Sequence, residues 1–281
     1  MILFKRKDDF RQFIDQKQTK RQSMGFVPTM GALHAGHISL IERSRHDNSL
    51  TVCSIFVNPA QFNDAKDFEK YPVTIEQDIY MLEQAGCDIL LLPSVDEVYP
   101  GQPRTEKYDL GYLETILEGK YRPGHFQGVC MVMRRLLEIV TPDKLYLGQK
   151  DLQQCMVIKK LISDYFPGIV TIICPIIREA DGLAMSSRNK RLNAAERKQA
   201  PAIYLALRDI KENLNQGNLQ ELKTNAVVNL QREGFKVDYV EIADATTLQA
   251  VNSWNGIQQL VALVAAFLNE VRLIDNLLLT D

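Results

Sequence analysis

The chain has 281 residues, 46% hydrophobic and 24% charged, with 33 Lys and Arg against 35 Asp and Glu, a formal net charge of −2. That length and composition describe a globular protein of one large or two ordinary domains. A near-neutral balance supplies no general basic surface and so argues against nucleic acid as the main partner.

Five cysteines, Cys53, Cys87, Cys130, Cys155 and Cys174, form no C-x-x-C pair. Most lie in apolar runs and read as buried small hydrophobes of a reducing, cytoplasmic compartment. The N-terminus turns charged at Lys5–Asp9, too early for a signal peptide. The longest strongly apolar run, Leu260–Leu268, is shorter than the about 20 residues that cross a bilayer, so no membrane partner is expected.

Residues 8–22 carry Phe10, Phe13 and Ile14 among charges and predict an amphipathic helix. Gly25–Thr29 ends an apolar run with a proline, as a buried strand does at its carboxyl edge. Thr29–Gly36 is a turn with two glycines, and from His37 the residues Ile38, Leu40 and Ile41 take up helical spacing. Leu50–Val57 predicts a second strand ended by Asn58-Pro59, and 60–72 a polar, aromatic loop. A helix over 74–85 leads into the strand 87–93, apolar on both faces as in a covered parallel sheet. Residues 94–127 are irregular, and so long a connection is often functional. A helix over 129–140, a strand over 144–147 ending at Gly148, a helix over 151–165 and a strand over 169–174 follow. Strand–helix alternation predicts a doubly wound parallel-sheet, Rossmann-like α/β domain over 1–176, with ligands beyond the carboxyl ends of its strands. After Arg188 the composition changes. Asn193 with Glu196 marks a helix start, predicting a long helix to near Asn215, a shorter one over 219–233 and two or three strands between Phe235 and Ile274. The expectation is a smaller α+β domain over 177–281.

The candidate chemistry follows the strands. A strand, a glycine turn and a helix start bring backbone N–H groups and the helix dipole to face an anion, and His34 and His37, one turn apart, point the same way. The pair also reads as a metal half-site, though no Cys, His or carboxylate cluster nearby completes it, or as two surface histidines. In Gly148-Gln149-Lys150-Asp151 a flexible ammonium can reach a phosphate as a point charge; the same turn reads as a solvated lysine beside a capping aspartate, and Asp151-x-x-Gln154 fits a capping box. Ser186, Ser187 and Arg188 offer two hydroxyls and a guanidinium to phosphate oxygens, or form a plain turn before a helix. Gln61 has an amide that can orient a hydroxy acid without neutralising it, or is one more polar loop residue.

Longer strings tie these residues together: Pro28-Thr29-Met30-Gly31, His34-Ala35-Gly36-His37, Ser54 to Pro59, Tyr71-Pro72, Arg122 to Phe126, Gly148 to Gln154, Asp181 to Asn189 and Arg272 to Asn276. On them the sequence resembles the pantothenate synthetase (pantoate–β-alanine ligase) family, nucleotidylyltransferases with HIGH-like and KMSKS-like motifs, across nearly the whole chain. The resemblance implies ATP-dependent condensation of (R)-pantoate with β-alanine through pantoyl adenylate, giving pantothenate, AMP and diphosphate. It implies ATP-phosphate contacts for Met30, His34, His37, Lys150, Ser186, Ser187 and Arg188 and a further ATP contact for Met185, with His37, His34 and Lys150 as the catalytic set. It implies nucleoside contacts for Gly148, Asp151 and Ile177. Pantoate would lie on Gln61 and Gln154, and β-alanine near Gln61. Mg²⁺ would arrive mainly with ATP, with no protein ligand assigned to it, no tightly bound organic cofactor is implied, and the family resemblance suggests a homodimer. The connections at 60–72 and 94–127 are lid candidates. Gln149, Val73, Ala60 and Gln77 depart from the family pattern, Gln77 leaving Asp78 as the acidic residue nearest a metal. Another small-molecule nucleotidylyltransferase is the alternative; an RNA-binding relative of a tRNA synthetase would need a positive surface and an anticodon-binding extension.

Overall fold

A computed structural model describes residues 1–17, 22–62, 68–101, 106–215 and 217–280. Parts of the expected 8–22 helix and of the 60–72 and 94–127 connections, at 18–21, 63–67 and 102–105, lie outside the described residues. The chain forms two compact units: Met1–Gln149 with Gln153–Pro175, and Lys150–Leu152 with Ile176–Asp281.

The first unit is a six-stranded parallel sheet in the order β1-β4-β3-β2-β5-β6. The strands are β1 (Ile2–Phe4), β2 (Met24–Thr29), β3 (Leu50–Ile55), β4 (Ile89–Leu91), β5 (Lys144–Gly148) and β6 (Val170–Cys174). The helices are α1 (Lys7–Lys17), α2 (Ala35–Asp47), α3 (Ile75–Gln84), α4 (Val95–Val98), α5 (Leu117–Tyr121), α6 (His125–Val140) and α7 (Leu152–Tyr165). Parallel neighbours need crossover connections, here helices, so both sheet faces are covered. β2 and β3 accordingly bury nearly every residue. Val27, Cys53, Leu90 and Tyr146 meet Leu40 and Ile41 of α2 and Leu82 of α3 in one core cluster. The strand order turns back between β2 and β5, the switch point at which doubly wound sheets take their ligands.

The second unit has a three-stranded antiparallel sheet, order β11-β10-β8, from β8 (Lys236–Asp244), β10 (Leu260–Leu268) and β11 (Val271–Leu278). A two-residue pair joins β7 (Gly217–Asn218) to β9 (Ser253–Trp254). Its helices are α8 (Ala194–Gln199), α9 (Ala202–Glu212) and α10 (Gln220–Arg232). Ile203, Leu207 and Ile210 of α9 and Ala226 and Leu230 of α10 cover the buried face of β10. Among the described residues no helix is long and apolar enough to cross a membrane.

Several boundaries differ from the sequence expectation. The long helix after Asn193 is two helices, because Pro201 lacks an N–H to continue the first and its ring crowds the turn before it. Its start is as expected: Asn193 Oδ1 accepts from the Ala195 and Glu196 amides, both at 2.9 Å, while Glu196 accepts from the Asn193 amide at 2.8 Å. The helix expected at 129 begins at His125, behind Gly124 at φ +80°. The 94–127 connection holds short helical turns at α4, Gly111–Glu114 and α5. β1 escaped notice because three largely exposed residues carry no periodicity, and β11 runs past Ile274 to Leu278.

Gly25 sits where β2 passes beneath α2. A Cβ there would lie 2.2 Å from Ser44 Oγ, 2.5 Å from Asn48 Nδ2 and 2.9 Å from the Tyr146 ring. Gly25→Ala is expected to lower stability by about 1–3 kcal/mol through overpacking, read as a lower urea midpoint at unchanged m-value.

Candidate active site

The chain leaves β2 at Thr29, whose hydroxyl donates to the Ser54 carbonyl at 2.8 Å and accepts from the Gly31 amide at 3.2 Å. Gly31 at φ +78° and Ala32 at φ +50° then turn the backbone sharply, a conformation few side chains tolerate. Asp78, in the first turn of α3 and 1% exposed, holds that turn. Its carboxylate accepts from the Ala32 amide at 2.9 Å, the Leu33 amide at 2.8 Å and the Thr74 hydroxyl at 3.0 Å. The acidic side chain expected beside a metal is thus bonded to two backbone N–H groups and a hydroxyl. Among the described residues no group of three or more His, Cys, Asp or Glu is placed to hold a metal.

The turn delivers His34 as the N-cap of α2. His34 Nδ1 accepts from the Gly36 amide at 3.2 Å, and His37 Nδ1 accepts from the His34 amide at 3.3 Å. The two imidazoles form a capping box in place of the usual hydroxyl and carboxylate, with ring centroids 4.1 Å apart. A nitrogen that accepts carries no proton, so each neutral ring bears its proton on Nε2 and is a hydrogen-bond donor there. Both donors stand at the N-terminus of α2, where the helix dipole favours negative charge.

Beyond β3 the one-turn helix Pro59–Gln61 presents Gln61. Asn58, fully buried, donates to the Gly128 carbonyl at 3.1 Å and accepts from the Ala60 amide and the Tyr99 hydroxyl at 3.3 and 3.0 Å. His125, at the start of α6, donates through Nδ1 to the Gln61 carbonyl at 2.7 Å, since a carbonyl oxygen only accepts. A Cβ on Gly128 would stand 2.2 Å from the Ala60 carbonyl oxygen, so helix and turn meet backbone to backbone. Gln61 Nε2 lies 2.7 Å from Met30 Sδ, which brings two of the expected substrate contacts together. Gln154 is partly exposed on the first turn of α7, and among the described residues its side chain has no hydrogen bond. Its neighbour Gln153 is the buried one, bonded to the Glu118 amide and the Leu113 and Ile116 carbonyls. Gly148 closes β5, its carbonyl accepting from the Cys155 thiol at 3.3 Å.

Lys150 and Asp151 belong to the second unit, with Ile177 and the Met185–Arg188 segment. Residues 177–185 form a narrow hairpin: the Met185 amide donates to the Ile177 carbonyl at 3.0 Å, and Arg178 bridges Ala184. Ser186 then caps the turn Ser187–Arg191, its hydroxyl accepting from the Arg188 amide at 3.3 Å. Arg178 lies over the Tyr204 ring, 4.1 Å from its centroid, and grips Asp275 with both nitrogens, at 2.6 and 3.0 Å. Burial pushes the Asp275 carboxyl up from its ordinary value, against the pull of Arg178, the Asn276 amide and Lys150. The sequence reading passed over the supports that hold these residues. Asp78 entered only as a possible metal neighbour, while Asn58, His125, Asp275 and Asn276 entered only inside matched strings. Their partners are remote in sequence and no local pattern announces them.

The fold and the histidine-capped helix at its switch point define a Rossmann-like α/β protein of the nucleotide-binding class. The sequence pattern of the Pantoate-beta-alanine ligase family matches residues 2–278. The chain belongs to the pantoate–β-alanine ligase family. It is 46% identical over 272 residues to the pantothenate synthetase of Cytophaga hutchinsonii, covering 96% of each chain, and 42% identical over 276 residues to that of Thermotoga petrophila, covering 97% of each. Among solved structures it resembles pantothenate synthetase from Thermus thermophilus, with a TM-score of 0.92, 38% identity and full coverage of both chains. It also resembles the pantoate-beta-alanine ligase of Francisella tularensis complexed with beta-gamma ATP and beta-alanine, with a TM-score of 0.83 and 39% identity over 99% of this chain and 98% of that one.

Two outcomes are expected. Asp78→Ala strands the Ala32 and Leu33 amides at about 1–3 kcal/mol for each buried unpaired group; hydrogen exchange at residues 31–37 should accelerate more than in the rest of the unit. The cysteines are expected to be inert while the chain is folded, because burial pushes the Cys87 and Cys130 thiols up to about 12 and raises Cys53 and Cys174 as well. A chromogenic disulfide at pH 8 should label them only after denaturant is added.

Proposed function

We propose that this chain condenses (R)-pantoate with β-alanine at the expense of ATP, giving pantothenate, AMP and diphosphate. The observation that carries the reading is the pair of Nε2 donors of His34 and His37 at the start of α2, in a chain matched by its family over 277 positions (residues 2–278). The ligands named for the Francisella tularensis relative support ATP and β-alanine as substrates.

In the first step a pantoate carboxylate oxygen attacks the α-phosphorus, the bond to the β-phosphate bridging oxygen breaks, and diphosphate leaves with the pair. Negative charge grows on the α-phosphate and the leaving group, where preorganised donors lower the barrier most. His37 and His34 supply those donors and Lys150 shares the diphosphate charge, with Met30, Ser186, Ser187 and Arg188 along the phosphates and Met185 as a further ATP contact. Gly148, Asp151 and Ile177 hold the nucleoside. Gln61 and Gln154 present pantoate through amides, which leave its carboxylate nucleophilic. In the second step the β-alanine amine, near Gln61, attacks the adenylate carbonyl; AMP leaves and the amine proton goes to solvent. Mg²⁺ enters with the triphosphate as part of the substrate, while the Asp78 carboxylate serves the Ala32 and Leu33 amides and the Thr74 hydroxyl. The working protein is a cytoplasmic homodimer with no nucleic-acid or membrane partner. The first unit carries His34, His37, Gly148 and the two pantoate amides, and the second carries Lys150, Asp151, Ile177 and the Ser-Ser-Arg loop.

Steady-state assays separate the steps. His37→Ala is expected to slow pantoate-dependent diphosphate release ~10²–10³-fold, the usual cost of one preorganised donor, while supplied pantoyl adenylate still reacts with β-alanine at close to the parent rate. Equal losses in both steps would remove His37 from its role. Lys150→Ala should raise KM for ATP, and an unchanged rate at low ATP would displace it.

A further inference from the structure

The dipeptide Asp275–Asn276 lies in the middle of β11, opposite Val264 and Leu263 of β10, and both side chains are buried, at 3% and 2% exposure. An ionisable and an amide side chain are out of place in a packed strand unless each polar atom has a partner. The partners here lead to two separate segments. Asn276 Nδ2 donates to the Lys150 carbonyl at 3.1 Å. Asp275 takes the Arg178 guanidinium in a two-pronged grip, and its Oδ1 also accepts from the Asn276 amide at 2.7 Å. Arg178 in turn donates to the Asn276 carbonyl at 3.2 Å and to the Gly182 carbonyl at 3.0 Å. The Gly182 bond closes the far end of the 177–185 hairpin, and the turn Ser187–Arg191 packs against the same strand.

We propose that Asp275–Asn276 is a positioning element for the adenylation step, fixing the Lys150 peptide on one side and, through Arg178, the hairpin that delivers Ser186–Arg188 on the other. The proposal rests on the assignment of Lys150 and Ser186–Arg188 to the ATP phosphates. One strand then sets the spacing between an ammonium on a flexible stem and a loop of hydroxyls and guanidinium. A long lysine side chain is placed chiefly by its backbone, so losing the Asn276 bond lets the ammonium wander from the phosphate. The asparagine is suited to this: its Nδ2 is a donor aimed at a carbonyl, whereas an aspartate of the same shape would set oxygen against oxygen.

Asn276→Ala removes the Lys150 bond and keeps the backbone carbonyl that Arg178 uses. KM for ATP is expected to rise about five- to tenfold, in line with the loss of one hydrogen bond. KM for pantoate and for β-alanine should stay within twofold, and Asn276→Asp should do more harm than Asn276→Ala. The decisive reading is the cycle with Lys150→Ala: without the ammonium, Asn276→Ala should change KM for ATP by less than twofold. Arg178→Lys, which keeps the charge but loses the fork, should likewise raise KM for ATP alone. If all three Michaelis constants move together, or the Asn276 and Lys150 effects multiply independently, the dipeptide is structural cement and the proposal is overturned. A parent chain that releases no diphosphate with pantoate and ATP, and no AMP once β-alanine is added, would overturn the functional reading itself. An active parent with an independent cycle overturns only the positioning role. Melting temperatures of each variant, with Asn276→Ala as the mildest, separate unfolding from either outcome.

Discussion

Parallel pairing is the constraint from which the rest of the first unit follows. Two neighbouring strands that run the same way cannot be joined by a tight hairpin, so each crossover carries the chain back over a face of the sheet. Every strand then ends at the same edge, and every turn that follows a strand opens there. β2 and β5 lie side by side where the winding reverses. The segments after them diverge instead of covering each other, which leaves room for a ligand. The residues with chemical potential come immediately after these strand ends because that is where backbone N–H groups and helix starts are uncovered.

Holding the turn after β2 is a separate problem, solved by charge-assisted hydrogen bonds from below. A backbone with φ +78° at Gly31 and +50° at Ala32 leaves its amides unable to join a helix or a sheet. The Asp78 carboxylate collects two of them. Bonds of this type are shorter and stronger than neutral ones, and in a buried setting they fix one conformation. The result is two imidazoles held by their own helix start, with donor and acceptor nitrogens already sorted before any ligand arrives.

Strand and helix order was legible in the sequence because it rests on periodicity and punctuation: apolar runs such as Leu50–Ile55, proline or glycine at their ends, and a capping box at Asn193–Glu196. Where a single residue overrode the pattern the reading slipped, as at Pro201, which splits one apolar stripe into two helices. The stretch His34-x-Gly-His37 was legible as a helix start, but its sorted nitrogens were not, since histidine is not a usual capping residue. The supports were the least legible part. Asp78 meets Leu33 across 45 positions, His125 meets Gln61 across 64 and Arg178 meets Asp275 across 97. Such contacts are products of the fold, and a strip of sequence carries no period for them.

Gly128 has a bearing on how members of this fold can diverge. Its helix lies so close to the Pro59–Gln61 turn that even a methyl group has nowhere to go. Reshaping this turn through a side chain at the facing position of the helix is therefore closed off. Variation there is left to side chains on the turn itself, at Ala60 or Gln61. A seam closed backbone to backbone thus confines variation to the side chains that border it.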